Sequence, residues 1–314
     1  MNGGCYGATG RDKRKEKGDE GTVRAMSAVN ACLPGLGAWY AERGRHALPW
    51  RRTRDAWAVF VSEVMLQQTQ VDRVRPYWER WMARWPTVAE LAAAPAAEAI
   101  REWAGLGYNR RALHLHRAAQ AVVERHGGRF PVEERAIREL PGAGEYTAAA
   151  VACFAGGART IVADTNIARV LARAALGVAS QREASAAAVR AAGEALLPHE
   201  GARDHNLALM DLGAMVCTPR APECDGCPLV AACAWRAAGY PAAVMAPKTA
   251  ARFETTARFA RGRIIDALRA GPRPEHELRE SLPAAHAVKL HDYLAALAKE
   301  GLVMRAGDGW ALPH

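Results

Sequence analysis

The chain has 314 residues, a formal net charge of +9 and a sequence pI of about 9.4. This basic balance favours a polyanionic partner, with nucleic acid ahead of a membrane surface. No apolar run reaches the roughly 18 residues of a membrane span, and the chain starts without the apolar core of a signal peptide. We therefore expect a cytoplasmic protein with no membrane partner, associated with the nucleoid if it is bacterial. Frequent alanine and rare β-branched runs favour an all-α fold.

Shifts in composition divide the chain into four segments. Residues 1–25 are rich in glycine and charge, which predicts a disordered tail. Residues 26–235 have helical patterns and predict the main domain. Residues 236–260 contain prolines and few apolar anchors, which predicts a linker. Residues 261–314 have three helical patterns followed by a Gly-bounded hairpin, which predicts a small winged-helix-like module.

The main domain begins with two predicted helices, over residues 27–47 and 55–66. Between them lie Trp50 and Arg51, an aromatic residue and a cation after a helix stop. The second helix is almost entirely apolar but contains Glu63. A buried carboxylate is costly unless it is paired or protonated, and the alternative is a glutamate that faces solvent between two core faces.

Polar residues that can hydrogen-bond to base edges or backbone follow this second helix: Gln67, Gln68 and Thr69. Two or three more helices are predicted over residues 71–126, one of them opened by a capping box at Thr87 and Glu90. Within this region residues 105–108 read Gly-Leu-Gly-Tyr and precede two arginines. Leu106 and Tyr108 are apolar wedge candidates of the kind that DNA-kinking loops use; the alternative is a helix end with a core tyrosine.

A helix-hairpin-helix is predicted around residues 140–147, Leu-Pro-Gly-Ala-Gly-Glu-Tyr-Thr. Gly142 and Gly144 would leave backbone N–H groups exposed at the start of the second helix, which can bind a phosphate without reading its base. Further on, Asp164 lies between an apolar run and a helix start, the position of an N-cap. Helices are predicted over residues 170–197 and 203–216.

Four cysteines follow within 17 residues, with the spacing C-x6-C-x2-C-x5-C: Cys217, Cys224, Cys227 and Cys233. Four thiolates at such spacing suit an iron–sulfur cluster or a tetrahedral zinc ion, and the spacing alone leaves both open. A disulfide pair is disfavoured because nothing marks the chain as secreted.

The order of these motifs resembles the helix-hairpin-helix superfamily of DNA glycosylases over roughly residues 30–235. Within it the sequence is most similar to the adenine DNA glycosylase family, because Leu-Pro-Trp-Arg (48–51) is followed by Glu-Val-Met-Leu-Gln-Gln-Thr-Gln-Val (63–71). The resemblance implies a two-lobed helical fold. It also implies that residues 217–233 form a loop whose four cysteines hold a [4Fe–4S] cluster.

The resemblance further implies a monomeric enzyme of base excision repair that binds double-stranded DNA, flips out an adenine mispaired with 8-oxoguanine or guanine, and cleaves its N-glycosidic bond. Glu63 matches the general acid that protonates N7 of adenine, and Asp164 matches the carboxylate that stabilises the oxocarbenium-like sugar. Tyr146 stands where bifunctional relatives have a Schiff-base lysine. A monofunctional glycosylase, without strand cleavage, is therefore expected.

The resemblance also implies contacts to DNA. Trp50 and Arg51 match residues of the adenine pocket, and Asn166 would bond near the flipped nucleotide. Gln67, Gln68 and Thr69 would fill the space that the base leaves, and Tyr108 would wedge into the duplex.

Two departures from the family pattern keep other functions open. Thr165 replaces the glycine usual after the catalytic aspartate, so that Asp-Thr-Asn resembles endonuclease III and the mismatch thymine glycosylases, which also share Tyr146. The C-terminal segment lacks the pattern of the nudix-like domain that reads 8-oxoguanine. One alternative is therefore a thymine/uracil glycosylase acting on T:G or U:G, and another is a non-catalytic iron–sulfur DNA-binding protein.

Overall fold

The computed structural model describes residues 13–243 and 252–314, with side chains from residue 24 onward. Residues 1–12 of the predicted tail and residues 244–251 of the predicted linker lie outside the described residues. Within the described ranges, no helix is both long enough and apolar enough to cross a membrane.

The described chain is mostly helical, as predicted, with three short strands near its C-terminal end. The helices are α1 (Lys13–Arg43), α2 (Ala56–Leu66), α3 (Val71–Arg84), α4 (Val88–Ala93), α5 (Ala96–Glu102), α6 (Arg110–His126), α7 (Glu134–Arg138), α8 (Glu145–Phe154), α9 (Thr165–Ala174), α10 (Ala186–Leu196), α11 (Ala202–Met215), α12 (Ala234–Ala237), α13 (Ala257–Leu268), α14 (Glu275–Glu280), α15 (Ala284–Ala287) and α16 (Leu290–Glu300). The strands are β1 (Arg273–Pro274), β2 (Met304–Ala306) and β3 (Gly309–Ala311).

Two compact units make up the described chain. The first contains α1 and helices α9 to α12, with the four cysteines. In it, α1 packs on α10 and α11, and it buries Val29, Leu36 and Tyr40 along one face. Helix α1 begins at Lys13, inside the segment predicted as a tail, and it ends at Arg43 rather than at residue 47.

The second unit contains α2 to α8 and everything from α13 onward. Its centre is α2, in which ten of eleven residues are buried, and which packs against α3, α6 and α8. Asp55 caps the helix by accepting hydrogen bonds from the backbone N–H groups of Trp57 and Ala58, at 3.2 and 3.3 Å. A helix that is apolar on every side is stable only when neighbours cover it all round, which is its situation here.

Helix boundaries in two regions differ from the sequence prediction. The predicted helix over residues 170–197 is two helices, α9 and α10, separated by a turn in which Gly177 has a φ of +71°. Ser185 starts α10 by accepting a hydrogen bond from the N–H of Ala188 at 3.0 Å. Alanine favours helix on both sides of this break and conceals it. Residues 71–126 contain four helices instead of two or three, and the predicted capping box at Thr87 and Glu90 is present.

The C-terminal part combines four helices, α13 to α16, with an antiparallel sheet of order β1-β3-β2. The predicted hairpin is the pair β2–β3, with Arg305 opposite Trp310. Strand β1, which the sequence did not predict, pairs with the other edge of β3. Gly309 allows this pairing, because a Cβ atom there would lie 2.4 Å from the carbonyl oxygen of Arg273.

Candidate active site

Glu63 lies in the buried centre of the second unit, and its side chain does not face solvent. The residue is 5% exposed, and the phenol of Tyr146 on α8 donates a hydrogen bond to its Oε2 at 2.9 Å. Packing of α2 against α8 brings together these two predicted site residues, which are 83 positions apart. The alternative of a solvent-facing glutamate is therefore wrong.

Trp50 and Arg51 lie in a short 3-10 turn, Pro49–Arg51, that contacts α2. The indole of Trp50 is buried and packs edge-on against Trp78, with 6.0 Å between ring centroids. Trp78 in turn donates its indole N–H to the carbonyl of Ala58 in α2 at 3.0 Å. Arg51 is half-buried in the same turn. This aromatic pair fixes the turn against the helix that carries Glu63.

Arg111, near the start of α6, is a functional residue that the sequence analysis did not single out. Its side chain is buried (7% exposed) and donates hydrogen bonds to six acceptors within 3.2 Å. Burial lowers the pKa of this guanidinium to about 10, so it remains cationic at neutral pH. The acceptors are the carbonyls of Val64, Met65, Gln67, Leu106 and Gly107 and the hydroxyl of Thr69.

These bonds do two things at once. They satisfy carbonyls that the C-terminal end of α2 leaves without helical partners, and they tie that end to the Gly-Leu-Gly-Tyr loop. Gln68 and Tyr108, one on each tied segment, have left-handed backbone φ angles of 57° and 48°. Such conformations are costly for residues other than glycine and persist only where the surroundings enforce them. Arg111 therefore holds two strained, exposed residues in place.

The predicted surface residues divide into exposed and buried ones. Gln68 is exposed and Tyr108 is 37% exposed, while Gln67 is half-buried and donates to the hydroxyl of Thr147 at 3.4 Å. Leu106 is 5% exposed, so its side chain packs inside the loop, unlike that of Tyr108. Sequence periodicity contained a signal for the burial of Arg111. Leu115 and Ala118, four and seven positions after it, share its face of α6 and are buried.

The predicted helix-hairpin-helix consists of α7, a turn through Gly142 and Gly144, and α8. Gly142 has a φ of +81°, and a Cβ atom there would lie 2.7 Å from the Cβ of His114. Gly144 is the N-cap of α8 and offers no capping side chain. The first N–H groups of α8 are therefore not capped by a side chain of that residue, which is the arrangement that favours an anion.

Asp164, in the first compact unit, caps α9 as predicted. Its carboxylate accepts hydrogen bonds from the N–H groups of Asn166 and Ile167 at 2.9 and 2.7 Å, and from the Asn166 side chain at 2.8 Å. Burial raises the pKa of this carboxyl above its ordinary value, and the three donors oppose the rise without cancelling it. Asn166 accepts in turn from Arg169 at 2.9 Å.

Helix α9 connects this carboxylate to the cysteine loop. Arg169 donates to the carbonyl of Cys217 at 2.7 Å, and Arg173, one turn later, donates to the carbonyls of Thr218 and Pro219 at 2.8 and 3.2 Å. Arg173 also stacks on Trp235, with its guanidinium 4.6 Å from the ring centroid. One helix thus carries Asp164 at its start and holds the loop with its later turns.

The four cysteines form no disulfide with one another and line one small cavity of about 20 Å³, together with apolar residues and two arginines. Burial, followed by the neighbouring thiols, raises the pKa of Cys233, and burial raises the pKa of Cys227 to about 12. In the described ranges, no three His, Cys, Asp or Glu side chains converge as the ligands of one metal ion would. The four cysteines thus line one cavity, although in the described ranges they do not form the ligand group of a single ion.

Comparisons with known proteins agree with this geometry. Residues 61–195 match the family model of the HhH-GPD superfamily base excision DNA repair protein. The adenine DNA glycosylase of Mycobacterium tuberculosis is 43% identical over 282 residues, which cover 88% of this chain and 91% of that protein. This chain belongs to the adenine DNA glycosylase family. The family's human member is 42% identical over 220 residues, 67% of this chain and 40% of the human protein.

Solved structures show the same fold. A thermostable thymine-DNA glycosylase aligns with a TM-score of 0.58 at 28% identity, covering 72% of this chain and all of that one. A non-covalent endonuclease III–DNA complex aligns with a TM-score of 0.59, covering 68% of this chain and 97% of that one; at 21% identity it shows the fold alone. The predicted helix-hairpin-helix glycosylase fold is confirmed.

We predict that Arg111→Met lowers the free energy of unfolding by about 3 kcal/mol or more, because several buried carbonyls lose their donor together. The matched control is Arg110→Met, the exposed neighbour on the same helix, which bonds to His114 and should change stability by less than about 0.5 kcal/mol. Urea unfolding of both variants measures the difference. Equal effects would show that Arg111 does not hold the two segments.

We predict that Asp164→Asn gains stability over the native protein as pH rises. A carboxyl whose pKa is raised by folding costs stability as pH increases from its ordinary value, 3.8, through its higher value in the folded state. The unfolding temperature of the asparagine variant minus that of the native protein should therefore increase across that window and stay constant above it. Thermal unfolding between pH 4 and pH 8 (about the range that spans the window) measures this.

Asp55→Asn controls for the replacement of a capping carboxylate by an amide, because Asp55 also accepts two backbone N–H bonds at a helix start. An Asp164→Asn variant that lost stability with rising pH, relative to the native protein and beyond this control, would contradict the raised pKa.

Proposed function

We propose that this protein is a monofunctional DNA glycosylase that removes adenine mispaired with 8-oxoguanine or guanine from double-stranded DNA. The observation that carries the proposal is the buried Glu63, hydrogen-bonded to Tyr146, in a chain 43% identical to an adenine DNA glycosylase over most of both lengths. The reaction replaces the bond between adenine and deoxyribose by a bond between the sugar and a water oxygen. Two difficulties oppose this reaction. The base would leave as an unstable anion, and the sugar becomes positively charged.

Glu63 answers the first difficulty as the general acid. It gives a proton to N7 of adenine, so that the base leaves as a neutral molecule. Burial supports this role by keeping solvent away from the carboxyl group. The hydrogen bond from Tyr146 supports it further by fixing the direction of the carboxyl group.

Asp164 answers the second difficulty by placing negative charge near the oxocarbenium-like sugar. A charge that is held before the reaction begins stabilises the transition state without reorganisation. Three N–H donors from Asn166 and Ile167 hold this carboxylate at the start of α9, and its half-buried surroundings keep its field from being screened by water. Asn166 shares the site and would bond to the flipped nucleotide.

Tyr146 supports the monofunctional assignment. A Schiff base at C1′ of the sugar needs an amine, and the phenol of Tyr146 supplies none. Its hydroxyl is engaged by Glu63 instead. Water is then the acceptor of the sugar, and strand cleavage does not follow.

The surface residues support a contact to duplex DNA. Gln67, Gln68 and Thr69 end the helix of the general acid and fill the space left by the flipped base, while Tyr108 wedges between neighbouring bases. The start of α8, after Gly142 and Gly144, binds a backbone phosphate. Trp50 and Arg51 line the adenine pocket. Leu106, whose side chain is buried, would support Tyr108 from within the loop.

We infer that the four cysteines hold a [4Fe–4S] cluster. The four cysteines line one cavity, as the ligands of such a cluster would, and their spacing resembles that of the family's cluster loop. The cluster supplies no step of the hydrolysis. Its support of the loop, with Arg169 and Arg173, is structural.

We also propose that residues 26–235 form the glycosylase domain and that residues 261–314 form a winged-helix-like module after a linker at 236–260. Helices α13 to α16 and the three-stranded antiparallel sheet support the module assignment. Of the linker, residues 244–251 lie outside the described part of the chain.

We predict that the native protein releases adenine from A:8-oxoguanine and A:G duplexes, and that Glu63→Gln lowers the single-turnover rate by about 10²-fold or more because the acid is lost. Glu79→Gln on α3, an exposed glutamate paired with Arg75, is the matched control and should leave the rate unchanged. Base release from four duplexes (A:8-oxoguanine, A:G, T:G and U:G) is measured with and without alkaline treatment.

The same assay tests a second candidate function, a thymine/uracil mismatch glycosylase. Thr165 after the catalytic aspartate and the 28% identity to a thymine-DNA glycosylase favour it. Release of thymine or uracil without release of adenine would overturn the adenine assignment. Strand breaks that appear without alkali would overturn the monofunctional one.

We predict that the purified protein is brown, absorbs broadly in the visible range and contains about four iron atoms per chain. Cys224→Ser should lose most of this iron, whereas Cys32→Ser, a free cysteine outside the loop, should retain it. Metal analysis of both variants decides between metals, since a colourless protein with one zinc per chain would refute the cluster.

A further inference from the structure

A groove of about 970 Å³ runs along the second unit beside the exposed Tyr108. One wall consists of the two segments tied by Arg111, residues 67–70 and 105–111. The other wall comes from the C-terminal part, mainly from α13 and the turn before it. The C-terminal part, for which the sequence suggested no chemistry, thus faces the residues proposed to enter DNA.

At the mouth of this groove an arginine lies between two aromatic rings. The guanidinium of Arg258 lies 4.8 Å from the ring centroid of Tyr108 and 4.9 Å from that of Phe253, and it also donates a hydrogen bond to the Tyr108 hydroxyl. Both rings are unusually exposed for large apolar groups, at 37% for Tyr108 and 47% for Phe253. We call these three residues the aromatic slot.

The charge of the slot is available to an anion. In the ranges that the structure describes, the partners of Arg258 are the phenol and the two rings, without a carboxylate within ion-pair distance. Arg261 and Arg269 on the same wall are instead engaged, Arg261 with Glu300 at 2.6 Å and Arg269 with Asp266. Arg258 is thus a cation on this wall that can pair with a phosphate, as is Arg263, which donates to the carbonyl of Ser281 at 3.5 Å.

Separate bonds hold the wall in place, so that Arg258 is not needed for docking. Arg269 donates to the carbonyl of Ile100 at 3.2 Å and to the side chain of Asn109 at 2.9 Å. Arg101 donates back to the carbonyl of Arg269 at 3.1 Å, and Arg117 donates to the carbonyl of Glu300 at 3.3 Å. A change at Arg258 therefore tests the slot rather than the position of the wall.

We propose that the aromatic slot binds an unstacked nucleobase of the duplex that Tyr108 opens, with Arg258 leaving the space between the rings to pair with an adjacent phosphate. This inference rests on the proposed wedge role of Tyr108. A guanidinium and a nucleobase are both planar and stack on aromatic faces, so the base takes over contacts that the arginine makes without DNA. The C-terminal part then contributes directly to mispair binding.

Binding is measured by fluorescence anisotropy with a labelled A:8-oxoguanine duplex and with the same duplex fully paired, at several salt concentrations. All proteins carry Glu63→Gln so that no cleavage occurs. Phe253→Ala should weaken binding of the mispaired duplex about tenfold, with little change for the paired one, because only the former offers an unstacked base. Arg258→Ala should weaken binding and lower the salt slope by about one phosphate contact.

The matched control is Arg305→Ala, because Arg305 also stacks on an aromatic ring of the C-terminal part, 4.4 Å from the centroid of the buried Trp310, but does not line the groove. It should leave both affinities unchanged. Tighter binding by Arg258→Ala would overturn the proposal, because it would show that Arg258 covers Tyr108 and hinders DNA binding. Equal affinities for Phe253→Ala and the Glu63→Gln parent would overturn it as well.

Base release by the native protein tests the proposed adenine glycosylase activity separately. If the native protein releases adenine while Phe253→Ala binds normally, only the proposal of the aromatic slot is overturned. A native protein that releases no adenine sinks the proposed function, whatever the slot variants do.

Discussion

The guanidinium of Arg111 is the constraint on which the DNA-facing side of the second unit depends. One buried cation satisfies the open end of α2 and the Gly-Leu-Gly-Tyr loop together, through six acceptors from two segments about 40 positions apart in the chain. Two non-glycine residues are held in left-handed backbone as a result. Local strain at Gln68 and Tyr108 is thus offset by a distant side chain, and the exposed side chains gain a fixed direction before any ligand arrives.

One helix also links the carboxylate of Asp164 to the cysteine loop. Helix α9 begins at Asp164 and then uses Arg169 and Arg173 to bind the carbonyls that surround Cys217. Loss of the loop would therefore disturb the helix whose start holds the carboxylate. Burial disfavours the ionised form of Asp164, so that its negative charge costs stability.

The contacts of the C-terminal part, rather than its sequence, suggest a role for it. Its helices and sheet resemble a common scaffold, and its sequence carries no catalytic motif. Because α13 lines the same groove as residues 105–111, Arg258 and Phe253 lie beside Tyr108, the residue that we propose enters the duplex. Its contribution depends on placement rather than on composition.

The sequence by itself determined the family, the apolar helix around Glu63, the cap at Asp164 and the capping box at Thr87, because these features depend on residues within a few positions of one another. The tertiary structure decided which polar groups are inside and which strands pair. Arg111 is buried, the break between α9 and α10 lies hidden among alanines, and β1 finds β3 from more than thirty positions away. A buried charge or a two-residue strand is stable only with partners distant in sequence, and no local pattern records where folding will bring them.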